Sequence, residues 1–358
     1  MDDVSLQAAA GLAVILIFLF AAAWRGYKVL PRIARAKTAN GAPPDCMVVI
    51  PARNEEALIG RAVSSLPHDT VIVVDDHSED RTAEVAQEAG AGVLPAPELP
   101  RRGIGKSNAC AAGARALTSR WVLFTDADTR FEPGFLEAVI SAAEASGLSL
   151  LSIHLDPEYR GIAEHALAPY ARALAFCGFG LAGSPHSLFT GQCLLARLES
   201  YNFLGGHSAV VGYLTEDIRL AKLAERHRLK LATARATGLG HARMYQRYAG
   251  VRDGIKRQAF RFMLVNPMIG IVIICSALLA ALWLPALAWL IWRKQWIAAG
   301  VFALLPTLLL RPWYRNWGTA LLAPAAVYGI LPVLARGLLA ALFGKPIEWK
   351  GRKVRPVS

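Results

Sequence analysis

Hydrophobic and polar positions divide the chain into three zones. Residues 6–24 form an almost unbroken apolar run, long enough to cross a bilayer as one helix. Arg25, Lys28, Arg32, Arg35 and Lys37 follow with no acid among them, so the positive-inside rule puts the N-terminus outside and leads the chain into the cytoplasm. Asp2 and Asp3 stand where a signal peptide would carry basic residues, and the run reads as an anchor. Near the other end, apolar blocks cover roughly 264–292, 296–310 and 319–343. Pro285, Pro306, Pro324 and Pro332 punctuate them, as a helical bundle in lipid tolerates. Three single crossings would leave the basic tail outside, so one block is expected to be a hairpin or re-entrant segment.

The middle zone alternates short apolar runs with polar turns. Residues 46–50 predict a strand that ends in Pro51-Ala52-Arg53-Asn54-Glu55-Glu56, with a helix following to Leu66. Residues 71–74 predict a second strand, ending in Asp75-Asp76-His77-Ser78-Glu79-Asp80-Arg81-Thr82, then an Ala/Glu-rich helix to Ala89. Two such units in succession imply an α/β fold with a parallel sheet and helices on its faces. A basic, glycine-punctuated loop, Arg101 to Lys106, leads into an Ala-rich helix to Leu117. The apolar strand Trp121-Val122-Leu123-Phe124-Thr125 then stops at Asp126-Ala127-Asp128, a helix follows Phe131-Glu132-Pro133-Gly134, and 148–154 reads as a further strand. Residues 157–190 fit either amphipathic helices resting on a membrane or a helical pair covering the sheet. After Gly191-Gln192 and a turn at 203–207, a helix is expected over 218–228, with Thr215 as N-cap and Glu216 and Asp217 in its first turn. Residues 243–262 gather Arg243, Tyr245, Arg247, Tyr248, Arg252, Lys256, Arg257 and Arg261, which suits an interfacial helix or a supply of cations to a phosphate. The expected boundaries are 1–37 for anchor and basic flank, 38–243 for the α/β domain, 244–263 for the interfacial segment, 264–343 for the membrane region and 344–358 for a basic cytoplasmic tail.

Composition narrows the function classes. The net charge is +12 over 358 residues, and 54% of the chain is hydrophobic. Because the basic residues cluster beside the apolar runs, an anionic membrane surface explains them better than nucleic acid. The five cysteines are scattered without a C-x-x-C pair, which argues against a disulfide scaffold or zinc site and suits a reducing compartment.

The chemistry concentrates at Asp126-Ala127-Asp128. Alternating strand geometry aims the two acids at one face, beyond the carboxyl end of the sheet where open α/β folds bind ligands. Paired like charges there call for a hard cation, Mg²⁺ or Mn²⁺. By itself D-x-D is a weak signal, since most instances are solvated turns. Glu216 and Asp217 likewise have a purely structural reading at a helix start, and Lys106 alone reads as a solvated loop lysine.

Taken together and in order, Val-Ile-Pro-Ala-Arg-Asn-Glu-Glu (49–56), Val-Val-Asp-Asp-His-Ser-Glu-Asp-Arg-Thr (73–82), Gly-Ile-Gly-Lys (103–106), Thr-Asp-Ala-Asp (125–128) and Thr-Glu-Asp (215–217) resemble the family-2 inverting glycosyltransferases. The resemblance covers residue 46 to about 262. It implies a Rossmann-like GT-A nucleotide-sugar-binding domain with a mostly parallel central sheet, flanked by transmembrane helices. Gln258-Ala-Phe-Arg261-Phe262 resembles the Q-x-x-R-W motif of ceramide glucosyltransferases and polysaccharide synthases, with Phe262 in place of Trp. Arg243-Met-Tyr and Trp349-Lys-Gly-Arg352 resemble membrane-bound glycosyltransferases of carotenoid and related lipid pathways.

By that resemblance Asp128 holds the metal, with Asp126 helping on the ribose side of a UDP-sugar. Pro51, Arg53, Glu55, Asp75, Asp76 and Lys106 line the nucleotide-sugar pocket. Asp217, with Glu216 beside it, is the catalytic base, while Gln192, Gln258 and Arg261 meet the acceptor or the leaving diphosphate. The partners implied are a UDP-sugar, a lipid acceptor and the bilayer of the cell membrane, with the catalytic domain cytoplasmic. A processive polysaccharide synthase and a non-catalytic membrane scaffold with a degenerate sugar-nucleotide domain stay open as alternatives.

Overall fold

The computed structural model describes residues 3–35, 45–100, 103–183, 188–245, 248–349 and 352–354. The expected linker at 40–44, Lys37, Arg101-Arg102, Arg247, Lys350-Gly351 and Arg355 lie outside the described residues. In chain order, helix α1 (Asp3–Val29) is followed by β1 (Cys46–Ala52), α2 (Ile59–Ser64), β2 (Val71–Asp75), α3 (Thr82–Glu88) and β3 (Gly92–Pro95). Next come α4 (Gly105–Ala114), β4 (Trp121–Thr125), β5 (Thr129–Phe131), α5 (Phe135–Ala145), β6 (Leu150–His154) and β7 (Asp156–Pro157). Helix α6 (Ile162–Ala182) precedes β8 (Cys193–Arg197), α7 (Leu198–Phe203), α8 (Glu216–Arg226), β9 (Leu231–Arg235) and β10 (Gly240–Ala242). The remainder is helical: α9 (Tyr248–Val265), α10 (Pro267–Ala281), α11 (Trp283–Trp292), α12 (Trp296–Leu310), α13 (Trp317–Ala320) and α14 (Ala323–Leu342), before a short terminal strand pair.

These elements sort into two compact units, one of Leu30–Glu158, Pro185–Met244 and Glu348–Ser358, the other of Met1–Val29, Tyr159–Ser184 and Tyr245–Ile347. The expected α/β segment 38–243 is therefore interrupted. Helix α6 clusters with the membrane-type helices, because its Ala, Leu and aromatic positions are buried along most of its length. It is one helix of 21 residues that accommodates Pro169, rather than a pair.

The first unit is built on a seven-stranded sheet in the order β3-β2-β1-β4-β8-β6-β9. All neighbours are parallel except β8, which runs antiparallel between β4 and β6. The mostly parallel GT-A-like sheet expected from the sequence is thus observed. Strands β1 and β4 are apolar on both faces because helices cover both sides, the pattern of a parallel core strand. A small second sheet, β5-β10-β7, pairs β10 antiparallel to β5 and so ties residues 240–242 to the chain just after Asp128.

Among the described residues, the helical unit holds four segments long and apolar enough to cross a membrane: Leu6–Val29, Pro267–Trp292, Trp296–Trp313 and Ala323–Leu342. The block expected at 264–292 is broken at Leu282 into α10 and α11, and Trp283 Nε1 donates to the Phe302 carbonyl at 2.7 Å, fastening α11 to α12. Inside the unit Tyr27, Phe176 and Trp313 pack ring to ring, with Arg172 over Tyr27. All five cysteines are free, and Cys275 alone among them is exposed.

Helix α4 lies close on the sheet because Gly113 has no side chain. A Cβ there would stand 2.6 Å from a Val49 methyl and 2.9 Å from a Val74 methyl. Gly113→Val is expected to overpack this contact and cost about 1–3 kcal/mol, read as a lowered unfolding midpoint of detergent-solubilised protein.

Candidate active site

Strands β1, β2 and β4 run in one direction, so their carboxyl ends open onto a common edge of the sheet. Two loops at that edge are stitched together. The Arg53 guanidinium donates to the carbonyls of Asp76 (2.7 Å) and His77 (3.0 Å), and Asn54 Oδ1 accepts from the Glu79 amide at 2.8 Å. The Glu55 amide donates to Thr82 Oγ1 at 2.8 Å, and the Arg81 amide to Glu56 Oε2 at 3.0 Å. Asn54 (φ 52°) and His77 (φ 56°) hold left-handed backbone, which the cross-links stabilise. Asp75 accepts from both the amide and the hydroxyl of Ser78. Arg53 and Asp75 therefore hold the two loops together, and Asp76, only 6% exposed, follows directly at the end of β2.

The D-x-D segment is anchored by backbone. Both the Asp126 amide and Thr125 Oγ1 donate to the Gln192 carbonyl at 3.1 Å, and Thr129 Oγ1 donates to the Asp126 carbonyl at 2.8 Å. Gln192 thus meets this site through its main chain. Lys106, at the start of α4, places Nζ 2.5 Å from Asp126 Oδ1 and donates to the Gly191 carbonyl at 2.9 Å. Burial disfavours its charge, but Asp126 and then Glu216 outweigh that and hold the ammonium above the ordinary lysine range.

Residues far apart in sequence converge on Gly191. Its amide donates to Asp217 Oδ2 at 2.8 Å, while Asp217 Oδ1 accepts from the Ile218 amide at 2.8 Å. A Cβ on Gly191 would lie 3.3 Å from Glu216 Oε1, a tight contact that the Glu216 side chain would have to ease, and 3.5 Å from Lys106 Nζ, in ordinary contact. Helix α8 begins at Glu216, earlier than expected, and Thr215 supplies no side-chain cap. The acid two residues on is instead held by charge-assisted bonds to the backbone that fix its orientation. Asp126, Lys106, Glu216 and Asp217 are thereby brought together around one glycine. Pro51 sits within β1 opposite Val74, and Gln258 and Arg261 lie half-buried on α9 of the helical unit.

One part of the site has no sequence pattern. Behind β4, Phe124 packs on Tyr201 and His207, and the Tyr201 hydroxyl meets His207 Nδ1 at 2.9 Å. Burial, and then the Lys106 charge, push the His207 pKa down from 6.5 to about 3, against the pull of Asp217. A lone histidine in a glycine-rich turn gives no warning of this. Among the described residues no group of three or more His, Cys, Asp or Glu forms a ready-made metal cage. Asp128, with Asp126 beside it, suits a Mg²⁺ or Mn²⁺ that takes its other ligands from phosphates and water.

This mostly parallel sheet, with its acid-bearing strand ends, has a GT-A-like α/β architecture. Residues 47–171 match the family model of Glycosyl transferase family 2, and the chain carries a family-2 glycosyltransferase domain. Among its relatives, a 4,4'-diaponeurosporenoate glycosyltransferase of Staphylococcus haemolyticus (strain JCSC1435) is 31% identical over 211 residues, 56% of each chain. The protein of the same description from Staphylococcus aureus (strain USA300) is 29% identical over 226 residues, 59% of this chain and 60% of the relative. The matched part thus spans little more than half the length of these relatives. A mannosyltransferase from Pyrobaculum calidifontis, solved in complex with GDP-Man and Mn2+, superposes with a TM-score of 0.54 at 19% identity, covering 96% of this chain and 99% of its own. That likeness establishes the fold alone.

The depressed pKa of His207 sets a pH dependence. Between about pH 3 and 6.5 the unfolded chain binds a proton that the folded chain refuses, so stability is complete above 6.5 and falls as pH drops towards 3. Comparing unfolding midpoints at pH 5 and pH 7.5, the drop is expected to be smaller for His207→Gln than for the parent protein.

Proposed function

We propose that the protein is an integral-membrane, inverting glycosyltransferase that transfers a sugar from a UDP-sugar to a hydroxyl of a lipid acceptor with the help of Mg²⁺ or Mn²⁺. The observation that carries this reading is the convergence of Asp126, Lys106, Glu216 and Asp217 on Gly191 at the carboxyl edge of the sheet. An arrangement drawn from three separate segments, with both signs of charge present, suits a diphosphate leaving group better than a degenerate scaffold.

The roles follow from the chemistry. A divalent ion supplies charge neutralisation for the departing diphosphate, and Asp128 is the residue to hold it, with Asp126 on the nucleotide side. Asp76 serves the base or ribose of the nucleotide, framed by Pro51, Arg53, Glu55 and Asp75. Lys106 tethers Asp126 and adds positive charge near the phosphates. Asp217 takes the proton from the acceptor hydroxyl, and attack from the side opposite the leaving group inverts the anomeric carbon. Gln192, Gln258 and Arg261 serve the acceptor or the diphosphate.

The lipid acceptor is supported by the four membrane-length helices and by relatives named for 4,4'-diaponeurosporenoate, which suggest a carotenoid-type substrate. The same helices support a multi-pass place in the cell membrane, with the α/β domain cytoplasmic.

Sugar transfer is expected to stop in EDTA and to return with Mn²⁺ or Mg²⁺; metal-independent turnover would remove Asp128 from its role. Asp217→Asn is expected to lower the transfer rate by about 10²–10⁴-fold while leaving binding of the nucleotide intact. Full transfer by that variant would exclude Asp217 as the base. Mass spectrometry of lipids from cells with and without the protein should find a mono-glycosylated lipid, and a polymer would favour a polysaccharide synthase.

A further inference from the structure

Arg243 stands directly across from Asp128. The β5–β10 ladder pairs Gly240 with Phe131, His241 with Arg130 and Ala242 with Thr129. Its continuation places Arg243 opposite Asp128, and the Arg243 amide donates to the Asp128 carbonyl at 2.8 Å. Residues directly opposite in an antiparallel pair project from the same face, with Cβ atoms about 4.5–5.5 Å apart. Arg243 therefore projects from the ribbon on the same face as the second acid of the D-x-D segment.

Its charge has not been used up. The Nε of Arg243 is buried without a hydrogen-bond partner, and Arg243 joins no ion pair among the described residues. The neighbouring acids on the small sheet are committed elsewhere. Glu132 pairs with Arg130 and His241, and Glu158 pairs with Arg61 and Arg130. A buried guanidinium nitrogen without an acceptor is costly, and the fold retains it beside a carboxylate suited to a metal.

We propose that Arg243 binds the diphosphate of the sugar donor from the β10 side, across from Asp128, the residue that would hold the divalent ion. The inference rests on the donor reading given above and adds a second phosphate contact to it. A guanidinium suits the task because its planar fork takes two phosphate oxygens at once, which a lysine cannot do. Its position directly after β10, with its amide on the Asp128 carbonyl, fixes its backbone beside Asp128.

The test uses the full-length protein in detergent with Mn²⁺, titrated by calorimetry with UDP, GDP and uridine. The parent protein is expected to bind one of the two diphosphates. Arg243→Gln is expected to weaken that binding by about 10- to 100-fold, the loss of a charge-assisted, bidentate contact, and to leave uridine binding within about twofold of the parent. Arg243→Lys should fall between them, since it keeps the charge and loses the fork. Equal diphosphate affinity in the parent and Arg243→Gln would overturn this inference alone. Parallel loss of uridine and diphosphate binding in both variants would make Arg243 a structural residue and overturn it as well. A parent protein that binds no nucleoside diphosphate would overturn the donor reading together with this one.

Discussion

Carboxylates of one sign cannot gather at the edge of a sheet without a countercharge, and that constraint organises the α/β unit. Asp126, Glu216 and Asp217 approach one another around Gly191, and Lys106 supplies a positive charge among them. Its ammonium is held by Asp126 and by the Gly191 carbonyl, so the charge is placed by two fixed partners. Partly buried and doubly engaged, such a pair keeps an interaction strength that an exposed one would lose to solvent.

The antiparallel strand β8 makes this arrangement possible. Inserted between β4 and β6, it enters the sheet beside the D-x-D end of β4 and brings Gly191 and Gln192 there. The Gln192 carbonyl then anchors Asp126 while the Gly191 amide anchors Asp217, so one dipeptide links a strand end to a helix start. The small sheet β5-β10-β7 does the equivalent on the other flank by holding the chain after Asp128. The acids at this edge are thus mounted on paired backbone, which limits their reorganisation.

In the loops after β1 and β2, two of the motif residues also hold the loops themselves together. Arg53 and Asp75 hold left-handed turns closed across Asn54 and His77. Substituting either would disturb the loop conformation itself.

Much of this architecture was legible in the residue pattern, because its causes are local. Strands that end in polar turns, helices of 3.6 periodicity and apolar runs of bilayer length depend on neighbours within a few positions. The parallel sheet, the D-x-D strand end and the membrane-length segments follow from that, and the order of motifs pointed to the family. What depended on distant pairing was not legible. Residues 157–190 carry the same composition whether they cover a sheet or join a bundle, and only packing put α6 with the membrane-type helices. Lys106 reads as a solvated loop residue until Asp126 and Gly191 are folded against it, and His207 carries no signal until Phe124 and Tyr201 bury it. The sequence by itself determined which chemical groups are available and where the first strands and the long apolar segments lie. Tertiary structure decided which of those groups share a countercharge, because electrostatic partnership is set by distance in space and not along the chain.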